Sequence, residues 1–105
     1  MNKKKANAAP AKGQDPQYVL RLFVTGSTPR SARSISNIRS FCEARLLGRY
    51  KLEVIDIYQQ PELARQEQIV AAPTLIKALP EPLRKLVGDL SDKERVLAGL
   101  DLKAS

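Results

Sequence analysis

The stretch Tyr18-Val-Leu-Arg-Leu-Phe-Val-Thr25, followed by Gly26-Ser-Thr-Pro29, is β-branched and aromatic and carries apolar residues on both faces. Leu20, Leu22 and Val24 point one way, while Val19 and Phe23 point the other. A strand that is apolar on both sides must be covered on both sides, so this segment reads as the centre of an α/β sheet. From Ser31 to Leu47 the period changes. Ile35, Ile38, Cys42 and Leu46 recur at helical spacing with Phe41 beside them, and Arg33, Arg39, Ser40 and Glu43 are interspersed. Gly48 is a natural helix stop. Tyr50-Lys-Leu-Glu-Val-Ile-Asp-Ile57 alternates and then turns apolar, as a second strand does. Strand, helix and strand in succession predict a βαβ unit with a right-handed crossover and parallel strands.

Beyond residue 58 the local signals conflict. Glu62–Gln68 reads as a short helix with Pro61 at its first position. Thr74-Leu-Ile-Lys-Ala-Leu79 looks like a strand, although Leu, Ala and Lys suit a helix equally. Leu79-Pro-Glu-Pro82 is a turn, and Leu83-Arg-Lys-Leu-Val87 is ambiguous between strand and helix. Ser91-Asp-Lys-Glu94 has the spacing of a capping box and predicts a helix starting at Asp92. Gly99 then sits inside that helix, at a cost of about 1 kcal/mol relative to alanine. Conflicts of this kind are expected at strained or switching segments.

Composition removes whole classes of chemistry. The 105 residues contain no histidine and one cysteine. Neither a Ser-His-Asp triad nor a Cys-His pair can be built without histidine, and one cysteine makes no disulfide, CxxC pair or cysteine zinc site. Cys42 falls on the apolar stripe of the first helix and is expected in the core. The formal charge is +7. Residues 1–17 hold four lysines against one aspartate, so nearly half the excess lies in a segment too poor in apolar residues to fold. The expected organisation is a disordered basic leader over 1–17 and a single domain over 18–105. The leader lacks the apolar run of a secretory signal, and no later run approaches the roughly 18 apolar residues of a membrane span. Cytoplasmic placement is the expectation.

Ala72-Pro73-Thr74-Leu75, opening a strand after a βα unit, resembles the cis-proline corner of a thioredoxin-like fold. A broader resemblance is to the KaiB family of clock proteins, and it runs from Tyr18 to Leu102. Its pieces come in order: Tyr18 to Pro29, Val54-Ile-Asp56 with Pro61-Glu-Leu-Ala64, Ala72-Pro-Thr-Leu75, Leu79-Pro80, Gly88-Asp-Leu-Ser91, and Arg95-Val-Leu-Ala-Gly-Leu-Asp-Leu102.

The resemblance implies a non-enzymatic regulator that binds a KaiC-type ATPase and needs no cofactor or metal of its own. It also implies two folds of one sequence: an oligomeric ground state, βαββααβ, dimeric or tetrameric, and a thioredoxin-like βαβαββα form that docks on the ATPase. The family's switching half is the second half, and its biasing positions match Gly99 and Asp101, with Tyr18 a further position that helps decide between folds. Pro73, Pro80 and Pro82 join them as candidates, because X-Pro isomerisation is slow, tens to hundreds of seconds. The ground state is the one expected at high concentration, by mass action. For partner binding, Arg84 and Lys85 match a basic pair of the family, and Lys77 joins them. Glu53 and Gln68 stand where clock-type members carry lysine on the surface implicated in KaiC docking. Arg33 and Lys51 complete the set. Clock-type members end in a long acidic tail, whereas this sequence has three residues after Leu102. The resemblance leaves room for a KaiA-like protein or a clock histidine kinase as a further partner.

Two other readings compete. One is a single-fold thioredoxin-like adaptor without redox activity, since Thr28-Pro-Arg-Ser31 stands where a thioredoxin would carry CxxC. The other is a basic nucleic-acid-associated protein. Arg30, Arg33, Arg39, Arg45 and Arg49 crowd the first helix and its flanks, but no RNP aromatic pair, zinc-finger spacing or G-x-x-G clamp accompanies them. Specific nucleic-acid readout is therefore not expected. No P-loop or GxGxxG is present, which assigns any nucleotide to the partner.

Overall fold

The first strand, β1 (Tyr18–Val24), lies inside a four-stranded sheet of order β2-β1-β3-β4, with β2 at Tyr50–Asp56, β3 at Thr74–Leu79 and β4 at Arg84–Val87. These come from a computed structural model that describes residues 17–88 and 90–101. The leader expected over 1–17, apart from Gln17, and Asp89 and Leu102 of the family-like segments lie outside the described residues. The helices are α1 (Pro29–Arg45), α2 (Pro61–Gln66) and α3 (Lys93–Gly99). The order is βαβαββα, so the chain has the thioredoxin-like one of the two arrangements that the family resemblance implies.

β1 pairs with β2 in parallel and with β3 antiparallel, and β3 pairs antiparallel with β4. The double-sided apolar pattern of β1 is used on both sides. Tyr18, Leu20, Leu22 and Val24 enter one core with Ile38, Phe41, Cys42, Leu46, Leu75, Val96, Leu97 and Leu100, beneath α1 and α3. Phe23 enters a smaller core with Ile55, Ala64 and Ile76, beneath α2. The short α2 covers only part of that face. This unequal cover leaves a charged strip of sheet open, and it positions the candidate docking residues.

α1 starts on Thr28, whose hydroxyl accepts from Ser31 N at 3.1 Å, with Pro29 at the first helical position. Cys42 is buried, and burial, with Glu43 adding to it, pushes its thiol up to about 12. Two serines of α1 share the buried stripe although the sequence pattern did not single them out. Ser34 Oγ donates to the carbonyls of Arg30 (2.9 Å) and Ser31 (3.0 Å), which lets a hydroxyl sit in an apolar layer.

In the second half, Leu83-Arg-Lys-Leu-Val87 resolves as the edge strand β4, and Ala72–Pro73, Leu79–Pro80 and Glu81–Pro82 are cis peptide bonds. The cap of α3 falls one residue later than the box spacing predicts. Asp92, not Ser91, is the N-cap, and its carboxylate accepts from both Glu94 N (3.1 Å) and Arg95 N (3.2 Å). An anionic acceptor with two donors at a helix N-terminus outcompetes a hydroxyl with one. Gly99 is the last residue of α3, and a β-carbon there would fall 2.6 and 2.7 Å from Leu86 Cδ1 and Cγ. Its place in the helix is explained by this close approach of α3 to β4.

Candidate functional site

The residues that the family resemblance assigns to switching gather at the end of the sheet where β1 begins. Tyr18 is 6% exposed, and burial raises its phenol, with nearby Asp101 acting the same way and Arg49, 6.0 Å from the ring centroid, opposing. One strand over, Lys77 sits opposite Leu20 and is 1% exposed. Its ammonium donates to the Pro80 carbonyl at 2.8 Å and pairs with Asp101 Oδ2 at 3.4 Å. Arg84 Nε meets the same oxygen at 3.0 Å. The Arg84 hydrogen bond holds the Asp101 carboxyl below its ordinary value against desolvation, with the Arg84 charge and then the Lys77 hydrogen bond adding to it. Asp101 itself has φ +59°. Tyr18, Lys77, Pro80, Arg84 and Asp101 thus share one neighbourhood, with Gly99 next to it on Leu86; Pro73 lies at the opposite end of β3, and Pro82 lies in the turn.

Lys77 stands apart from the other partner-binding candidates: in this arrangement its charge is turned inward and paired with Asp101 and the turn. A lysine on the covered face of a sheet needs a counter-ion, and the one it has lies 24 residues downstream.

The remaining docking candidates fall into two places. On the sheet face that α2 half-covers, Arg21 of β1 bridges Glu53 of β2 (3.7 Å) and Glu67 (3.1 Å). Lys85 of β4 donates to the carbonyls of Glu67 (2.7 Å) and Gln68 (3.5 Å), just past α2. Gln68 has φ +57° and closes the helix end, with Ile69 N reaching back to Ala64 O at 2.9 Å. Lys51 lies exposed on β2, two residues from Glu53 and on the same face. Glu53, Gln68, Lys85 and Lys51 therefore line one charged strip. Arg33 does not belong to it: it is exposed on α1, across the sheet, and Arg84 belongs with Asp101. Arg21 and Glu67, which the sequence reading does not single out, pair within the same strip, and the only sequence signal is Arg21 as a lone charge in the otherwise apolar β1.

At the place of a thioredoxin's CxxC, Thr28 Oγ1 donates to Ser31 Oγ at 2.9 Å, and Ser31 Oγ also donates to Thr25 O at 3.3 Å and accepts from Thr25 N at 3.2 Å. Two hydroxyls hold the turn where two thiols would react. Among the described residues, no three His, Cys, Asp or Glu side chains come together as metal ligands, and no helix is long and apolar enough to cross a membrane.

The fold has clear relatives. The chain is similar to the N-terminal domain of Synechococcus elongatus SasA, at a TM-score of 0.70 and 24% identity over 96% of this chain and 98% of that one. It is similar to the thioredoxin Deadhead of Drosophila melanogaster at 0.64 and 15%, over 83% and 81%. In sequence it is 53% identical to the circadian clock oscillator protein KaiB of Synechococcus sp. strain RCC307, over 81% of this chain and 77% of that protein. To the protein of the same name in Picosynechococcus sp. strain PCC 7002 it is 52% identical, over 81% and 82%. The family model for the KaiB domain matches residues 21–102. With that match and half its aligned residues shared, the chain belongs to the KaiB family.

Proposed function

We propose that the chain is a non-enzymatic clock-type regulator that binds a KaiC-type ATPase in the cytoplasm and modulates its phosphorylation and ATPase cycle by fold switching. One observation carries the reading. A thioredoxin-like fold holds hydroxyls at the place of its thiols, Thr28 and Ser31, and so offers a surface rather than a reaction. Arg33, Lys51, Glu53, Gln68, Arg84 and Lys85 are the residues proposed to meet the partner. The ground state is an oligomer of the βαββααβ kind, and a KaiA-like protein is a further partner. Two packings that differ by a few kcal/mol suffice, provided that the partner binds one of them better.

Size-exclusion chromatography with a KaiC homologue and ATP tests this. A complex that forms over hours supports a switch ahead of binding, and no co-elution at any time overturns the reading. The second reading, a single-fold adaptor, draws support from the likeness to the SasA domain over nearly the whole chain. It requires rapid binding without a slow phase.

A further inference from the structure

The whole formal charge of +7 lies in the first 57 residues, which hold eleven Lys and Arg against four Asp and Glu, whereas residues 58–105 hold seven against seven. Arg30, Arg33, Arg39 and Arg45 stand exposed on α1 and span about 22 Å of helix at roughly 1.5 Å per residue. Arg30, Arg33 and Arg39 make no ion pair among the described residues. The one acid of α1, Glu43, accepts from the Tyr50 hydroxyl at 2.6 Å. The other exposed residues between the arginines are short, Ala32, Ser36, Ser40 and Ala44, and the one ring of α1, Phe41, is buried. The chain before Tyr18 carries Lys3, Lys4, Lys5 and Lys12, and it joins the fold beside Arg49, whose carbonyl accepts from Tyr18 N at 2.7 Å.

We propose that α1 and the lysines before β1 form a docking surface for the phosphate backbone of duplex DNA, bound without regard to sequence. The cations of α1 are all arginine, whose planar fork pairs with phosphate oxygens in bidentate fashion. Short hydroxyls lie between them, as at contacts that position a protein on a duplex without reading bases. Protein interfaces centre on aromatic anchors, and unpaired bases stack on rings; α1 exposes no ring for either. Its span of about 22 Å matches six or so base-pair steps of about 3.4 Å. The family resemblance assigns switching to the second half, and α1 lies in the first, so the surface requires neither arrangement over the other. Nor does it depend on the KaiC reading, which its failure would leave standing.

Fluorescence anisotropy of the full chain with a labelled DNA duplex of about 20 base pairs tests it across a salt series. The logarithm of the affinity should fall against that of salt at a slope of about −5 to −7, because four lysines and four arginines release counterions. Arg30→Gln with Arg39→Gln should make the slope shallower by about 2, and the four leader lysines changed together to glutamine by about 3 to 4. Arg30→Lys with Arg39→Lys keeps the charge and should keep the slope. Arg65→Gln, on α2 in the neutral half, should leave it unchanged. Arg33 stays in place throughout, since it is also a candidate for the ATPase surface. No binding at about 50 mM salt overturns the proposal, as does a slope that Arg30→Gln with Arg39→Gln does not move. So does tighter binding to poly-glutamate, or to single strands, than to the duplex.

Discussion

Leu86 of β4 occupies the space that a β-carbon on Gly99 of α3 would need. The glycine thus relieves a close contact in this arrangement, and two opposed effects act on its replacement. Alanine gains about 1 kcal/mol of helix propensity, but it must displace the Leu86 side chain. In a Leu86→Ala background the obstacle is gone. Gly99→Ala is therefore expected to stabilise the Leu86→Ala protein by close to that full amount and the parent by clearly less. Equal effects in the two backgrounds, read from denaturant midpoints, would remove the steric account.

Cys42 should be chemically silent in the folded protein. Burial first, and Glu43 second, raise its thiol from 9.0 to about 12, so at mildly alkaline pH the folded state holds about a thousandfold less thiolate than the unfolded chain. Iodoacetamide at pH 8 should label it only after denaturant is added. The raised value also fixes the sign of a pH effect. The folded state keeps its proton longer, so stability is intact below pH 9 and is lost as pH rises toward 12. Cys42→Ala should abolish that part of the alkaline decline, and an unchanged slope would refute it.

Thr28 Oγ1 and Ser31 Oγ stand 2.9 Å apart at the head of α1, within reach of a covalent link. The double substitution Thr28→Cys with Ser31→Cys should close a disulfide under mild oxidation and leave the circular dichroism spectrum unchanged. The first thiol, at the start of a 17-residue helix, should have a lowered pKa. Mass spectrometry that finds both thiols still reduced under oxidising conditions would show that the turn does not place the pair as described.

Gln68 has φ +57° at the end of α2, a conformation that favours glycine. Gln68→Gly should stabilise the fold by up to about 1 kcal/mol, with part of the gain cancelled by the freer unfolded chain. Gln68→Val, β-branched in the same backbone, should be destabilising. Thermal midpoints of the two variants that move in the same direction would contradict the backbone assignment.

How far the sequence told this story depended on the distance between partners. β1, α1 and β2 were legible because their apolar periods are local, and the Tyr18–Val24 strand was readable as central from its two apolar faces alone. β4 was not, since Leu83 and Leu86 are spaced as on a helix, and only pairing with β3 makes them a strand. The burial of Lys77 was illegible for the same reason, because its counter-ion Asp101 is remote in sequence. The α3 cap slipped by one residue because the box rule does not rank a carboxylate that takes two amides above a hydroxyl. The family pattern marks Gly99 and Asp101 but is silent on their neighbours: Gly99 packs on Leu86, and Asp101 pairs with Lys77 and Arg84.

β1 has two neighbours of different kinds: β2 is tied to it through the α1 crossover, and β3 arrives later in the chain. Any motion that takes β3 away therefore leaves the first half standing and uncovers one long edge of β1, with Leu20 and Leu22 beside its unpaired amides and carbonyls. Such an edge is a template for whatever strand reaches it first. In the switching proposed above, the returning β3 and a strand of a second copy compete for that one edge, and the number of copies nearby weights the second outcome.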